Sequence, residues 1–195
     1  ALEDRRVLAV HRENSHADLI LGRVLDGYDF QGKEKPRLKL VSLYTDQVPA
    51  DDWSRAIAKK HDVLICDNID GAVTRGTNSV SVEGVILIGD NGNYLVNEKG
   101  QRLYPRRQFF DQVTNAFQKN GRAVPVFNAK HLASTWQDAK WMVDRSKELM
   151  FPMMAGSVLP LTWRRPALVM PRDCRISEAL AVGYGDLESS GFNAL

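Results

Sequence analysis

The sequence predicts an α/β fold, a doubly wound, mostly parallel sheet of about six strands with helices on both faces. Short apolar runs alternate with amphipathic segments of helical periodicity over roughly 150 residues. Glycine, asparagine and proline mark most of the boundaries between these segments. Polar clusters follow most of the apolar runs, as expected where the carboxyl ends of parallel strands face a ligand.

The first half of the chain contains four of the predicted strands. A buried-type strand over residues 6–10 precedes a helix over 17–25, and Ser15 is its expected N-cap because its hydroxyl can accept from an amide of the first turn. A second strand over 37–44 leads to a short helix over 51–60. The remaining elements of this half are strands over residues 63–66 and 84–88, separated by a helical turn over 69–73.

The second half supplies two more strands and two longer helices. The polar stretch 93–104 is predicted to be an exposed loop over the sheet edge, and Pro105 suits the start of a helix that Gly121 ends. A strand over 123–127 and a helix over 135–149 follow. A sixth strand is predicted over 153–155, an extended segment over 159–171, and a strand or short helix over 176–182. Residues 1–170 are therefore assigned to the α/β domain and 171–195 to a tail, and whether this tail begins a second domain stays open.

Composition argues against several classes of protein. The chain has 195 residues, a formal net charge of +2 and a pI of about 8.6, without a Lys/Arg block that would indicate nucleic-acid binding. No apolar run approaches the roughly 18 residues of a membrane span. Cys66 and Cys174 lack the spacing of a zinc or redox motif. The N-terminus is not a signal peptide, and we expect a cytoplasmic protein. The alternative that these residues begin a mature chain whose export leader has been removed stays open.

Polar residues at the predicted strand ends are the candidates for cofactor binding. Asp46 follows the second strand, where an acid suits the ribose diol of NAD or NADP. The first turn lacks the glycine-rich fingerprint, and although the next helix N-terminus could receive a phosphate, Glu13 and Asp18 would repel it. The full set of predicted cofactor-binding residues is His11, Ser15, His16, Asp46, Asp90 and Asn91.

Two other chemistries compete for the same strand ends. A metal could be held by His11, His16 and Asp90, but no pair of candidates has helix-ligand spacing, so solvated loop residues or helix caps are the preferred interpretation and no metal site is assigned. The alternative is acid–base chemistry by Lys130 with His131, because a desolvated lysine can have its pKa lowered toward neutrality. Arg106 and Arg107 are interpreted as solvated or ion-paired residues.

Three stretches resemble the N-terminal domain of the Gfo/Idh/MocA oxidoreductases, which use NAD(P) on sugars, inositols and related polyols. They are residues 82–88, similar to that family's fourth strand, 121–131, similar to its "G-K-x-V-x-x-E-K-P" segment, and 134–152, similar to its "T-x-x-E-A-x-x-L" helix and the following strand. An uncharacterised bacterial branch is closer still, through residues 15–18, 97–107 and 162–166. The resemblance implies a Rossmann-like fold, a nicotinamide cofactor and a sugar or polyol substrate, with Lys130 as a catalytic residue and His131 assisting.

The chain also departs from that family. The glycine-rich turn is missing, Ala129 and His131 replace the usual Glu and Pro around Lys130, and Asn193 stands near where the family tends to carry an acid–base histidine. A non-catalytic ligand-binding or interaction domain that has lost the cofactor turn is therefore the alternative function, and a metal-dependent enzyme is a third. The second domain, which in the family often forms the oligomer interface, is not found in this sequence, so a homo-oligomer stays open.

Overall fold

Six parallel strands form one sheet in the order β3-β2-β1-β4-β5-β6 in the computed structural model, which describes residues 2–27, 36–157, 171–178 and 180. The strands are β1 Leu2–Leu8, β2 Leu38–Thr45, β3 Leu64–Ile65, β4 Gly84–Ile88, β5 Val126–Ala129 and β6 Met153–Gly156. The helices are α1 His16–Leu25, α2 Ser54–His61, α3 Ile69–Thr74, α4 Arg106–Lys119 and α5 Trp136–Glu148. The predicted doubly wound α/β fold is confirmed.

The two faces of the sheet are buried by different helices. Along β4, Val85 and Leu87 join the cluster formed by α3, α4 and α5, whereas Ile86 and Ile88 join the cluster formed by α1 and α2. Both sets are buried because successive side chains of a strand point to opposite faces. This continuous burial explains why β4 has an unbroken apolar sequence, as strands covered on both faces do.

The fifth strand begins later than the sequence pattern indicates. The prediction placed it over residues 123–127, whereas β5 spans Val126–Ala129. Pro125 has no amide hydrogen, and its carbonyl accepts from the Val85 amide at 2.9 Å just before the ladder begins. The shift puts Asn128 inside the strand and makes Lys130 the first residue beyond it.

The first strand also differs, because β1 begins four residues and ends two residues before the predicted 6–10. The other boundaries agree with the prediction to within three residues. Ser15 is the N-cap of α1 as predicted, since its side chain accepts from the Asp18 amide. Several predictions fall on residues outside the described ranges, namely the segment 159–170, the motif 162–166, residues 179, 181 and 182 of the segment 176–182, and the tail with Asn193. The described residues 176–178 and 180 are neither helix nor strand. Within the described ranges, no helix is long and apolar enough to cross a membrane.

Candidate functional site

A crevice lies at the carboxyl edge of the sheet, between the turn after β1 and the loop after β4. The chain leaves β1 toward β2 on one side and leaves β4 toward β5 on the other, so the strand order reverses between these two neighbouring strands. Ligands bind at such switch points in open α/β sheets. The crevice has a volume of about 590 Å³ and is lined by Arg12, Glu13, Asn14, Ser15, Asn91, Gly92, Asn93 and Arg102.

Four amides at the turn between β1 and α1 are hydrogen-bonded within the turn and the start of the helix. Ser15 Oγ accepts from the amides of Arg12 and Asp18, both at 3.2 Å, and Asp18 Oδ2 accepts from the Asn14 amide at 2.9 Å. The Ser15 amide donates to the Arg12 carbonyl at 3.1 Å. A glycine-rich turn would leave such donors for a pyrophosphate. Here they are already bonded within the turn.

His11 is placed in the protein interior. Its side chain is fully buried, and its Nε2 lies 3.6 Å from Asp18 Oδ1. Its main chain joins the turn to the segment before α2, because the His11 amide donates to Asp52 Oδ2 at 2.8 Å and the Trp53 amide donates to the His11 carbonyl at 2.7 Å. These contacts give His11 a role in holding the turn in place.

Asp46, predicted to hold a ribose, is bonded by two tyrosines. The hydroxyls of Tyr44 and Tyr94 each donate to it at 2.8 Å. Burial and the bond to Asp46 raise the pKa of Tyr44 to about 12, and the same causes raise the pKa of Tyr94, so both remain protonated donors. Gln47 adds a reciprocal pair with the Asn93 backbone, at 2.8 and 3.3 Å. The predicted exposed loop 93–104 is therefore fastened to the end of β2.

A buried ionic network stands at the end of β4. One carboxylate oxygen of Asp90 accepts from the guanidinium of Arg106, and the other lies 3.0 Å from His16 Nδ1. Asp90 and Arg106 are only 3% and 2% exposed. Burial pushes the pKa of Asp90 upward, but the His16 hydrogen bond and the positive charges of Arg106 and Lys130 outweigh it and hold the pKa below its usual range. Asp90 is therefore an ionised acceptor.

The two residues after β5 lie beside this network. Arg106 donates through its second nitrogen to His131 Nε2 at 3.2 Å. Burial, reinforced by Arg106, lowers the pKa of His131 to about 4, so the imidazole is neutral at pH 7. Lys130 is 6% exposed, has a left-handed φ of 62°, and its amide donates to the Gly156 carbonyl of β6. Such φ values are uncommon for residues other than glycine and cluster at functional sites.

The structure thus divides the predicted residues into two groups. His16, Asp90, Lys130 and His131 converge on one charged cluster, whereas Asp46 belongs to the tyrosine set at the end of β2. Described residues contain no group of three His, Cys, Asp or Glu side chains able to hold a metal ion.

Arg106 is the member of this cluster that the sequence reasoning did not assign to the site. The interpretation of Arg106 as solvated is wrong, while that of an ion-paired residue is confirmed. A signal lies in Gly89, since a Cβ there would stand 2.9 Å from Arg106 Cγ. Only a glycine lets the arginine stem cross the end of β4 at this distance.

Solved structures of oxidoreductases share this fold. A dehydrogenase (MviM) from Clostridium difficile is 13% identical with a TM-score of 0.51, and the match covers 79% of this chain and 38% of that one. The UDP-N-acetylglucosamine 3-dehydrogenase GnnA from Acidithiobacillus ferrooxidans is 8% identical with a TM-score of 0.51, covering 80% and 38%. A Gfo/Idh/MocA family oxidoreductase from Vibrio cholerae is 14% identical with a TM-score of 0.49, covering 80% and 38%.

The two neighbours with a TM-score of 0.51 confirm the predicted Rossmann-like fold. The chain spans about 38% of the length of each of these three proteins. No protein-family model matches the chain, and no curated protein matches it in sequence.

Proposed function

We propose that the chain is the Rossmann-like domain of a Gfo/Idh/MocA-like oxidoreductase that acts on a sugar- or polyol-like substrate with NAD or NADP. One observation carries the proposal. Lys130 follows β5 directly, at the carboxyl edge where the resemblance puts a catalytic lysine, and is buried beside the ionised Asp90. A buried lysine held near a carboxylate at the ligand-binding edge of a sheet is typical of a functional site. Two structural neighbours with a TM-score of 0.51 are dehydrogenases by name.

The charged cluster fits the reacting end of such a site. Lys130 would donate a hydrogen bond to the substrate hydroxyl, and Asp90 would keep the lysine in place through the attraction of their charges. His131, neutral and held by Arg106, would shape the pocket beside Lys130. A bound nicotinamide would supply the hydride acceptor. The second domain, expected from the family resemblance, would supply the rest of the substrate pocket.

The turn after β1 is poorly suited to the pyrophosphate of a dinucleotide. The amides of Arg12, Asn14 and Ser15 are bonded within the turn, so a pyrophosphate there would need other donors. Asp46 already accepts from two hydroxyls. These observations favour a second candidate function, a non-catalytic domain that binds a small polar ligand without a dinucleotide.

Cofactor titration separates the two candidates. NAD, NADH, NADP and NADPH are each added to the protein while the fluorescence of its four tryptophans is followed. If the chain is an oxidoreductase domain, we expect at least one of the four cofactors to bind saturably. Dissociation constants weaker than about 1 mM for all four would reject it in favour of the second candidate.

A lysine variant tests the assigned role. Lys130→Ala is expected to lower turnover by about 10²–10⁴-fold while leaving cofactor affinity unchanged, because the side chain acts on the reacting hydroxyl. Lys119→Ala is the matched control, since the Lys119 side chain is 71% exposed on the last turn of α4 and its ion pair within the described residues is with the half-exposed Asp70 at 3.4 Å. Turnover retained by Lys130→Ala would remove the lysine from the mechanism.

A further inference from the structure

Two histidines border the carboxylate network, and they differ in how their ring nitrogens are used. His16 is the first residue of α1, and its Nδ1 lies 3.0 Å from Asp90 Oδ2. His131 follows β5 and receives a hydrogen bond from Arg106 at Nε2. A guanidinium can only donate, so the His131 Nε2 lone pair is occupied by this contact.

The hydrogen bond to Asp90 fixes the proton of His16. An ionised carboxylate can only accept, so Nδ1 of His16 must carry the hydrogen. In a neutral imidazole the lone pair then resides on Nε2. No residue of the described ranges hydrogen-bonds to this nitrogen, and the His16 side chain is 19% exposed at the carboxyl edge of the sheet. His16 therefore presents a proton-accepting nitrogen, whereas His131 does not.

Asp90 is itself held rigidly in place. Its second oxygen is bonded by Arg106, whose stem is pressed against Gly89 and whose guanidinium lies 4.8 Å from the centre of the Tyr104 ring. All of these contacts are within the interior, where Arg106 is 2% exposed. Asp90 can thus orient His16 on one side while its charge attracts Lys130 on another.

We propose that His16 is the catalytic residue that exchanges a proton with the substrate, and that Asp90 and Arg106 are positioning residues that hold it in the Nδ1–H tautomer. The proposal rests on the proposed function and divides the chemistry between two residues. Lys130 binds the substrate oxygen. The hydroxyl O–H bond of the alcohol would break and its proton would bond to His16 Nε2. A bound nicotinamide cofactor would be the oxidant that takes the hydride from the carbon, which leaves a carbonyl.

The tautomer can be measured without any turnover. Long-range ¹H–¹⁵N correlation spectra of the full chain report which ring nitrogen of each of the four histidines carries the proton, and His16→Gln identifies the His16 signals. We expect an Nδ1–H tautomer for His16 at neutral pH, lost in Asp90→Ala. An Nε2–H tautomer in the wild type overturns the proposal even where Asp90→Ala fails to fold, and so does an unchanged tautomer in a folded Asp90→Ala.

Kinetics then separate a proton-transfer role from a cofactor-binding role. His16→Gln is expected to lower kcat by about 10²–10⁴-fold with cofactor dissociation constants unchanged. His61→Gln, at the end of α2, is the control and should leave both unchanged. A full kcat in His16→Gln, or an equal loss of cofactor affinity, overturns the proposal.

The outcomes distinguish failure of this proposal from failure of the proposed function. A wild-type protein that turns over no alcohol with any nicotinamide cofactor rejects the proposed function, and the proton-transfer role falls with it whatever the tautomer. Turnover that survives His16→Gln rejects the role of His16 alone.

Discussion

Replacing Asp90 with asparagine should destabilise the protein more than removing its partner Arg106. Asparagine keeps the shape and an acceptor oxygen but not the charge. Arg106 and Lys130, which are 2% and 6% exposed, would then stand at the end of β4 without the carboxylate that compensates them. In Arg106→Met, by contrast, Asp90 keeps the His16 hydrogen bond and the nearby charge of Lys130.

The burial of the groups sets the expected magnitudes. Breaking a buried ion pair by removing one partner costs about 3–5 kcal/mol, because the remaining charge is left uncompensated. We expect a loss in this range for Asp90→Asn, and about 1–3 kcal/mol for Arg106→Met, where a charged hydrogen bond is lost but other cations remain. Solvent screening reduces neither value much, since both side chains are almost completely buried.

Urea unfolding followed by tryptophan fluorescence measures these losses. Asp144→Asn is the control, because the Lys140–Asp144 pair on α5 is about half exposed and should change stability by no more than roughly 0.5 kcal/mol. If Arg106→Met costs as much as Asp90→Asn, Lys130 and His16 do not stabilise the carboxylate, and Asp90 is not the centre of the cluster.

Three further predictions follow from individual contacts. Since burial, with Arg106 beside it, lowers the pKa of His131 to about 4, only the unfolded chain takes up this proton between about pH 6.5 and 4. The free energy of unfolding of the wild type should therefore fall as the pH drops through that window, and that of His131→Gln should fall less. Urea titrations at several pH values measure both, and an equal dependence on pH in the two proteins would contradict the prediction. Tyr94→Phe removes one of the two hydroxyls on Asp46 and should strengthen NAD binding by about 5–10-fold if Asp46 meets the ribose, whereas unchanged titrations would place the ribose elsewhere. Gly89→Ala should cost about 1–3 kcal/mol through its contact with Arg106, and full thermal stability of that variant would show that the arginine stem can move aside.

The sheet could be predicted from sequence because its evidence is local. An apolar run of five residues such as β4 predicts a strand buried on both faces, and both boundaries of β4 are as predicted. The β5 boundary was wrong because an apolar pattern does not say which residues pair, and Pro125 delays the ladder. Helix α1 was placed well because Ser15 gives a chemical start signal.

The site was predictable only in part, because its contacts join residues far apart in the chain. The carboxyl ends of parallel strands meet at one edge, so a parallel sheet already places His16, Asp90 and Lys130 at the same edge. The docking of Tyr94 on Asp46 spans 48 positions and depends on how a polar loop folds back. Arg106 was missed because an arginine at a helix start is usually solvated, and its burial becomes visible only together with Gly89.

The carboxyl edge of the sheet differs from the amino edge in that its buried charges and backbone strain lower the stability of the fold. A buried ion pair seldom stabilises a protein more than apolar side chains of the same size would, and a left-handed lysine adds backbone strain. Both costs arise close to the switch point, the buried ion pair from Asp90 with Arg106 and the backbone strain from Lys130. At the amino edge, a hollow of about 390 Å³ is lined chiefly by apolar residues of β4, β5 and β6, and Glu83 is its only ionisable lining residue within the described ranges. Stability alone would favour the apolar arrangement at both edges, so the charges at the carboxyl edge agree better with the function proposed for this site than with a purely structural role.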